Sequence, residues 1–329
     1  MGVRCGSQVC VCEYPVAFDT YSGCAHGCAY CFARLKVKLE EIRVRNSTQS
    51  LKRFIAGQRN AETRWCDWDI PLHWGGMSDP FQPLEAEGRA SLEALRVLAE
   101  TGYPFIVSTK GRLVAEEPYL SLIARCNCVV QISMVCSSYD RMEPGAPTYE
   151  ERIEMGRRVA ATGTRVIDRV QPYLPEIRRE LGENLPRLAE AGFHGITVEG
   201  MKFKRRKPGT VRVGGDWCFP EEALRRDYEW LRDRAHGAGL AFFCAENRLR
   251  PMGDSTACCG AGDLPGFEGN RFNCVNMLNG EDVSPTPRMS EPGTADAFCA
   301  IYQNTADSRE VRKRSFADMM LKEAGKMRG

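Results

Sequence analysis

From about residue 70 onward, short runs rich in β-branched and aromatic residues alternate with stretches of helical periodicity, and that order leaves few folds open. The runs are Leu72 to Gly76, Pro104 to Lys110, Cys128 to Val135, Thr164 to Tyr173, Gly195 to Glu199 and Leu240 to Ala245. Strands separated by helices pair in parallel, because a helical crossover carries the chain back to start the next strand from the same end of the sheet. Between the runs, Leu92, Leu95 and Ala99 form one apolar helical stripe, and Leu224, Tyr228, Leu231 and Ala235 form another at i, i+4, i+7 and i+11. The pattern predicts an α/β fold, a partial (β/α)6 barrel, in which ligands bind beyond the carboxyl ends of the strands. Functional residues are therefore expected just after strands.

The 329 residues suit one such barrel with extensions: a lead-in over 1–23, the barrel over 24–247, and a Cys-containing, loop-rich extension with a charged terminal helix over 248–329. No apolar run approaches the roughly 18 residues that cross a bilayer, so no membrane association is expected. Met1 to Gly6 carries no apolar signal core, and a cytoplasmic location is expected. In a reducing cytosol, sixteen cysteines point to metal binding or catalysis instead of disulfides. The net charge of +2 argues against a chain that coats a polyanion wholesale. Basic residues nevertheless bunch at Lys202, Lys204, Arg205, Arg206 and Lys207, and again at Arg309, Arg312, Lys313 and Arg314.

The stretch Tyr21-Ser22-Gly23-Cys24-Ala25-His26-Gly27-Cys28-Ala29-Tyr30-Cys31 spaces three cysteines as C-x3-C-x2-C, with glycines that let a loop wrap tightly. Three thiolates suit an iron–sulfur cubane with one iron left open, and an open iron suits a small chelating ligand. A zinc knuckle with His26 as fourth ligand is the alternative.

Three further segments follow in order: Gly75-Gly76-Met77-Ser78-Asp79-Pro80-Phe81-Gln82-Pro83-Leu84-Glu85, Ser108-Thr109-Lys110 and Gln131-Ile132-Ser133-Met134, each at the end of an expected strand. With the Cys loop, they resemble the spore photoproduct lyase-like branch of the radical S-adenosylmethionine (radical SAM) superfamily, over roughly residues 14 to 200. The resemblance implies an enzyme in which Cys24, Cys28 and Cys31 hold a [4Fe-4S] cluster that reductively cleaves S-adenosylmethionine to a 5′-deoxyadenosyl radical. It implies cofactor contacts by Tyr30, Ser78, Asp79, Lys110 and Ser133, with Lys110 on the carboxylate and Gly75 and Gly76 permitting close approach. Glu143-Pro144-Gly145-Ala146-Pro147 with Glu151-Arg152 resembles the same branch, and Arg152 either binds cofactor or braces its loop. Gln171-Pro172-Tyr173 closes the fifth strand in the same manner, which would place Gln171 or Tyr173 in the cavity.

Spore photoproduct lyase itself carries a hydrogen-donating cysteine at the position matched here by Gly76. Cys136 is then the alternative donor, or else a small core hydrophobe. Cys244, Cys258, Cys259 and Cys274, with Cys5, Cys10 and Cys12 of the lead-in, supply enough thiols for a second iron–sulfur cluster, although adjacent Cys258 and Cys259 cannot readily ligate one ion.

The resemblance implies action on a nucleic-acid base, thymine or a thymine-derived base in DNA, as in the similar enzymes of phage thymidine hypermodification. An electron donor such as flavodoxin or ferredoxin would be needed, and Lys202 to Lys207 would track phosphates. Oligomeric state is left open. The alternatives are modification of a peptide or small metabolite, and a non-catalytic, metal-stabilised nucleic-acid-binding module.

Overall fold

The computed structural model describes residues 2–273 apart from 7, 8, 10, 36, 37, 46, 214, 263, 267, 271 and 272. Cys10, Cys274, the second basic cluster from Arg309 and the expected terminal helix lie outside the described residues. The first strands are β1 (Arg4–Cys5), β2 (Val16–Phe18), β3 (Tyr21–Ser22) and β4 (Arg43–Val44). They are followed by β5 (Leu72–Trp74), β6 (Phe105–Thr109), β7 (Cys128–Ser133), β8 (Arg165–Tyr173) and β9 (Gly195–Gly200). After these come β10 (Lys202–Phe203), β11 (Val211–Val213), β12 (Asp216–Cys218) and β13 (Ala241–Cys244). The helices are α1 (Thr48–Ile55), α2 (Glu85–Gly88), α3 (Ala90–Thr101), α4 (Tyr119–Ile123), α5 (Tyr149–Ala160), α6 (Arg178–Glu190) and α7 (Glu221–Gly237).

The six expected runs all form strands, and they lie side by side in one sheet of order β1-β2-β5-β6-β7-β8-β9-β13. From β2 to β13 every pairing is parallel, and each helical crossover advances one position in the same direction. That is the progression of a partial barrel. β6 and β9 are buried along their whole length, as strands covered on both faces must be. The lead-in contributes more than a tail: β2 runs parallel to β5, and β1 pairs antiparallel beyond it as the sheet edge.

Apolar stripes seat the helices. Leu224, Tyr228, Leu231 and Ala235 of α7 are all buried. In α3 the buried stripe is Leu92, Leu95 and Leu98, with Ala99 only half-buried. Tilted and edge-on ring contacts of 5.6 Å link Phe18, Trp74, Phe81 and Tyr119 beneath the ends of β2 and β5. β5 stops at Trp74 because Gly75 turns with φ +88°, where a Cβ would sit 2.3 Å from the Ser108 carbonyl oxygen. Only glycine lets the chain leave the sheet so close to β6.

Two small excursions leave the carboxyl side. β3 and β4 pair as a hairpin that brackets the Cys loop. β10, β12 and β11 form a three-stranded antiparallel sheet between β9 and α7. Among the described residues no helix is long and apolar enough to cross a membrane.

Candidate active site

The Cys loop begins at Gly23, whose φ of +81° and whose closeness to the Leu39 carbonyl (2.7 Å from an added Cβ) require glycine. It is pinned to the strand ends by hydrogen bonds on both sides. Ala25 N donates to Gln82 Oε1 at 2.9 Å, and Gln82 Nε2 donates to Gly23 O at 3.3 Å. Gly145 N donates to His26 O at 3.0 Å, and Ala29 N to Met142 O at 2.8 Å. His26 is the central pin: Nδ1 meets Gly145 O at 2.9 Å and Nε2 meets Asp79 Oδ2 at 3.0 Å. Both partners are acceptors, so both ring nitrogens donate and the ring is an imidazolium. Burial opposes that charge, but Asp79 outweighs it and raises the His26 pKa.

Asp79 also accepts from Phe81 N (2.8 Å), Thr109 Oγ1 (2.7 Å) and Lys110 N (2.6 Å), which ties the loop to the end of β6. Burial works to raise this carboxyl, yet His26 and these donors hold it below its ordinary range.

Cys28 is buried, Cys24 and Cys31 are half-buried, and all three are free thiols. Cys28 lies within electrostatic reach of both Cys24 and Cys31. Burial pushes Cys24 up to about 12 and Cys28 up to about 11, with the Lys110 charge acting against the rise at Cys28. Among the described residues, no group of three His, Cys, Asp or Glu side chains already stands in a metal-holding arrangement. The donor set itself fits a cubane: three free thiols on one short loop, with His26 committed on both nitrogens and so withdrawn from the zinc-knuckle alternative.

Beside the loop, two cations meet one buried carboxylate. Lys110 Nζ lies 3.0 Å from Glu143 Oε1, 3.2 Å from Ser133 O and 5.8 Å above the Tyr30 ring. Arg152 donates to Ser133 O at 2.7 Å, pairs with Asp140 at 3.2 Å, and also pairs with Glu143, which the Tyr30 hydroxyl contacts as well. Burial and then Arg152 lower Lys110 to about 8. Behind them Asp168 is fully buried with neither carboxyl oxygen hydrogen-bonded, and burial drives its pKa well up despite Arg152 and Lys110. Glu143, quoted in the sequence only as part of its Glu-Pro-Gly segment, is the carboxylate that Lys110 and Arg152 share.

No protein-family model matches the chain. Uncharacterized proteins of Mycobacterium tuberculosis and Mycobacterium bovis are 30% identical over 201 residues, which is 56% of this chain and 58% of each relative. The chain thus spans little more than half the length of the curated relatives it matches. Among solved structures, a tyrosine-to-phenylalanine variant of spore photoproduct lyase superposes with a TM-score of 0.56 at 19% identity, over 70% of this chain and 76% of that one. Spore photoproduct lyase complexed with dinucleoside spore photoproduct gives 0.53 at 18% identity over the same shares, and a variant with bound AdoMet and the dinucleoside gives 0.51 at 18%. The fold is that of spore photoproduct lyase.

Within this spore photoproduct lyase fold the other expected site residues divide. Gly76 faces open space. The Ser78 hydroxyl donates to Tyr21 O at 2.8 Å, bracing the hairpin, and Ser133 meets Lys110 and Arg152 through its carbonyl. Cys136 is buried with Sγ 3.1 Å from Ser138 Oγ, and burial pushes its thiol up to about 12. Tyr173 is fully buried, its hydroxyl donating to Asp227 of α7 at 2.9 Å and its ring set edge-on to Tyr228. Alternation along β8 would put it with Gln171, but a bulge between Val170 and Tyr173 breaks the register and turns it to the helix layer.

A polar row crosses the sheet; it takes in Gln171, Ser108 and Gln131 of the quoted segments, and His73, Arg169 and Glu199, which sequence reading missed. His73 Nε2 lies 3.1 Å from Ser108 Oγ, which donates to Gln131 Oε1 at 2.9 Å. Arg169 donates to the same Gln131 oxygen at 2.8 Å and to Gln171 Oε1 at 2.7 Å, and Gln171 reaches Glu199, which Lys202 pairs from the next strand. The basic run lies on the β10–β12 excursion. Lys204 pairs with Asp216, Arg206 stands 5.8 Å over Trp217, and Arg205 and Lys207 are exposed. Cys244, Cys258 and Cys259 cluster with Cys12 behind the β13 end.

Proposed function

We propose that this chain is a radical SAM enzyme that acts on a nucleic-acid base, thymine or a thymine-derived base in DNA. The observation that carries the chemistry is the three-cysteine loop, pinned by Asp79, Gln82 and Gly145 beside Lys110, which follows β6, and Arg152 of α5. Cys24, Cys28 and Cys31 would hold a [4Fe-4S] cluster, which with S-adenosylmethionine supplies a 5′-deoxyadenosyl radical. Lys110 would bind the methionine carboxylate in exchange for Glu143, a charge-assisted contact for an ammonium that already pays for burial. Arg152, buried and held by Ser133 and Asp140, would keep Glu143 and the loop after β7 in place during that exchange.

Support for a nucleic-acid substrate comes from three places. Spore photoproduct lyase has been solved with a dinucleoside bound. The row Arg169, Gln171 and Glu199 offers donors and acceptors that match the edges of a base. The basic excursion stands after β9, where exposed Arg205 and Lys207 would meet phosphates of a strand whose target base is flipped out. A reduced flavodoxin or ferredoxin would supply the electron, and a cytoplasmic setting would keep the thiols reduced. A peptide or small metabolite is the second reading, favoured by the thiols around Cys258.

Anaerobic reconstitution with iron and sulfide, then incubation with S-adenosylmethionine, dithionite and either DNA, nucleosides or peptides, tests both layers. Mass spectrometry should find 5′-deoxyadenosine and an altered base. Alanine at Cys24, Cys28 or Cys31 should abolish both the cluster absorbance and the cleavage. Full cleavage by any one of these variants would overturn the assignment.

A further inference from the structure

The thiols that the candidate active site leaves unused are not scattered. Cys244 closes β13, and Cys258 and Cys259 follow in a turn closed by Gly260 N donating to Ala257 O at 2.9 Å. Cys12 is brought to them from the other end of the chain. The side-chain amide of Asn270 donates to Val9 O at 2.6 Å and Cys12 O at 3.2 Å, and Asn270 N donates to Glu13 O at 2.7 Å. Cys12 lies within electrostatic reach of Cys258 and Cys259, and Cys244 within reach of Cys258.

Among these thiols sits Arg250, 3% exposed. It donates to Asn247 Oδ1 at 2.7 Å and Thr256 O at 3.4 Å, both neutral, while its Nε is buried with no hydrogen-bond partner. Among the described residues no carboxylate stands at ion-pair distance from it. A buried guanidinium without an ion-pair partner is strongly unfavourable. The charges acting on it are those of Cys258, Cys12 and Cys244, then that of Glu199, a carboxylate already paired with Lys202. Neutral thiols cannot balance it. Three thiolates on a divalent ion or an iron–sulfur core leave a net negative charge beside it, and they can.

We propose that Cys12, Cys244 and Cys258 hold a second, thiolate-ligated metal centre with Arg250 as its charge partner. The thiols do not stand at ligand distance from a common point in this structure, and the turns that carry Cys12 and Cys258 would close on the metal. Such a centre would clamp lead-in to tail behind the ends of β9 and β13.

The test uses the full chain with Cys24, Cys28 and Cys31 replaced by Ala, which removes the first donor set. Anaerobic loading with ferrous iron and sulfide, or separately with zinc, is followed by metal and sulfide analysis and by absorption and paramagnetic resonance spectra. Retained iron with sulfide makes the centre a cluster, and retained zinc alone makes it a zinc site; either supports the proposal. Adding Cys12→Ser or Cys258→Ser should abolish that retention, whereas Cys126→Ser, at a half-buried thiol elsewhere, should not. No retained metal under either loading, or retention unchanged by both serine variants, overturns it. Because those variants could unfold the region, the wild-type protein gives an independent readout. Alkylation mapped by mass spectrometry should spare the half-buried Cys12 and Cys258 in metal-loaded protein and modify them after chelation, and equal modification in both states also refutes the centre.

Discussion

Asp79→Asn keeps the shape of the loop pin and removes its charge. Four donors converge on the carboxylate, with Phe81 N and Thr109 Oγ1 on Oδ1, and His26 Nε2 and Lys110 N on Oδ2. An asparagine can keep its carbonyl toward the first two. Its amide then faces the Lys110 N–H, another donor, and leaves that group unsatisfied at a cost of about 1–3 kcal/mol. His26 loses its carboxylate, and breaking one side of a buried charge pair costs about 3–5 kcal/mol. Relief comes from His26 itself, which can release a proton, keep Nδ1–H on Gly145 O and accept from the new amide at Nε2. The expected loss is therefore about 3 kcal/mol, near the lower end of that range.

Urea unfolding of metal-free protein measures it, and the pH profile distinguishes a lost ion pair from general damage. Asp79 is held low, so its contribution is present above the ordinary carboxylate pKa and disappears as pH falls through its folded value. His26 is raised, so its contribution is complete below its ordinary pKa and disappears as pH rises through its higher folded value. The gap between wild type and variant should be widest between about pH 4 and 6.5 and narrow on both sides. Iron incorporation into the loop should fall in parallel. A loss under about 1 kcal/mol that stays flat with pH would refute the reasoning, since a buried pair should cost more.

Three further outcomes are expected. Lys110→Ala should weaken S-adenosylmethionine binding by roughly 1.5–3 kcal/mol, about ten- to a hundredfold by isothermal titration, and wild-type binding should itself weaken as pH rises through about 8, where the ammonium is lost; an unchanged dissociation constant removes Lys110 from the site. Replacing Lys204, Arg205 and Arg206 with Ala should lower DNA affinity and flatten its salt dependence by about 0.9 units of slope per lost phosphate contact, while uncoupled cofactor cleavage persists. Identical salt slopes would remove the excursion from the DNA interface. Tyr173→Phe should cost about 1 kcal/mol of stability through the lost Asp227 bond and leave 5′-deoxyadenosine formation intact; lost turnover at unchanged stability would instead put Tyr173 in the cavity.

The sheet was legible because its strands are buried on both faces, and that requirement writes continuous apolar runs such as Phe105 to Val107 and Cys128 to Val130 into the chain. β1 and β2 were not, because two or three residues at a sheet edge carry no period, and only their pairing with β5 reveals them. Of Gln171 and Tyr173, either of which was expected in the cavity, Tyr173 instead bonds Asp227, because a bulge before it breaks the alternation and a bulge leaves no mark in residue type. Asn270 holds the Cys12 carbonyl from 258 residues away, a contact that no local spacing encodes.

Within the motifs, residue identity was legible but division of labour was not. Gly75-Gly76-Met77-Ser78-Asp79-Pro80 reads as a ligand-contacting turn, yet Ser78 spends its hydroxyl on Tyr21 O and Asp79 gathers four donors from the Cys loop and β6. Their chemistry is turned inward, toward holding the loop in place. A loop that presents three thiols has to resist the spread of like charges once they ionise, and backbone hydrogen bonds alone would fray at its glycines. Anchoring it through a buried imidazolium–carboxylate pair holds the loop without adding net charge, and the Asp79 carboxylate itself acts to raise Cys24 and Cys28. Lys110, whose backbone N–H completes the Asp79 set, brings its ammonium to bear on Cys28. The same carboxylate thus fixes the position of the thiols and of the cation beside them. This is why Asp79, and not the serine next to it, is the residue of this motif whose loss should disturb the loop and the cofactor pocket together.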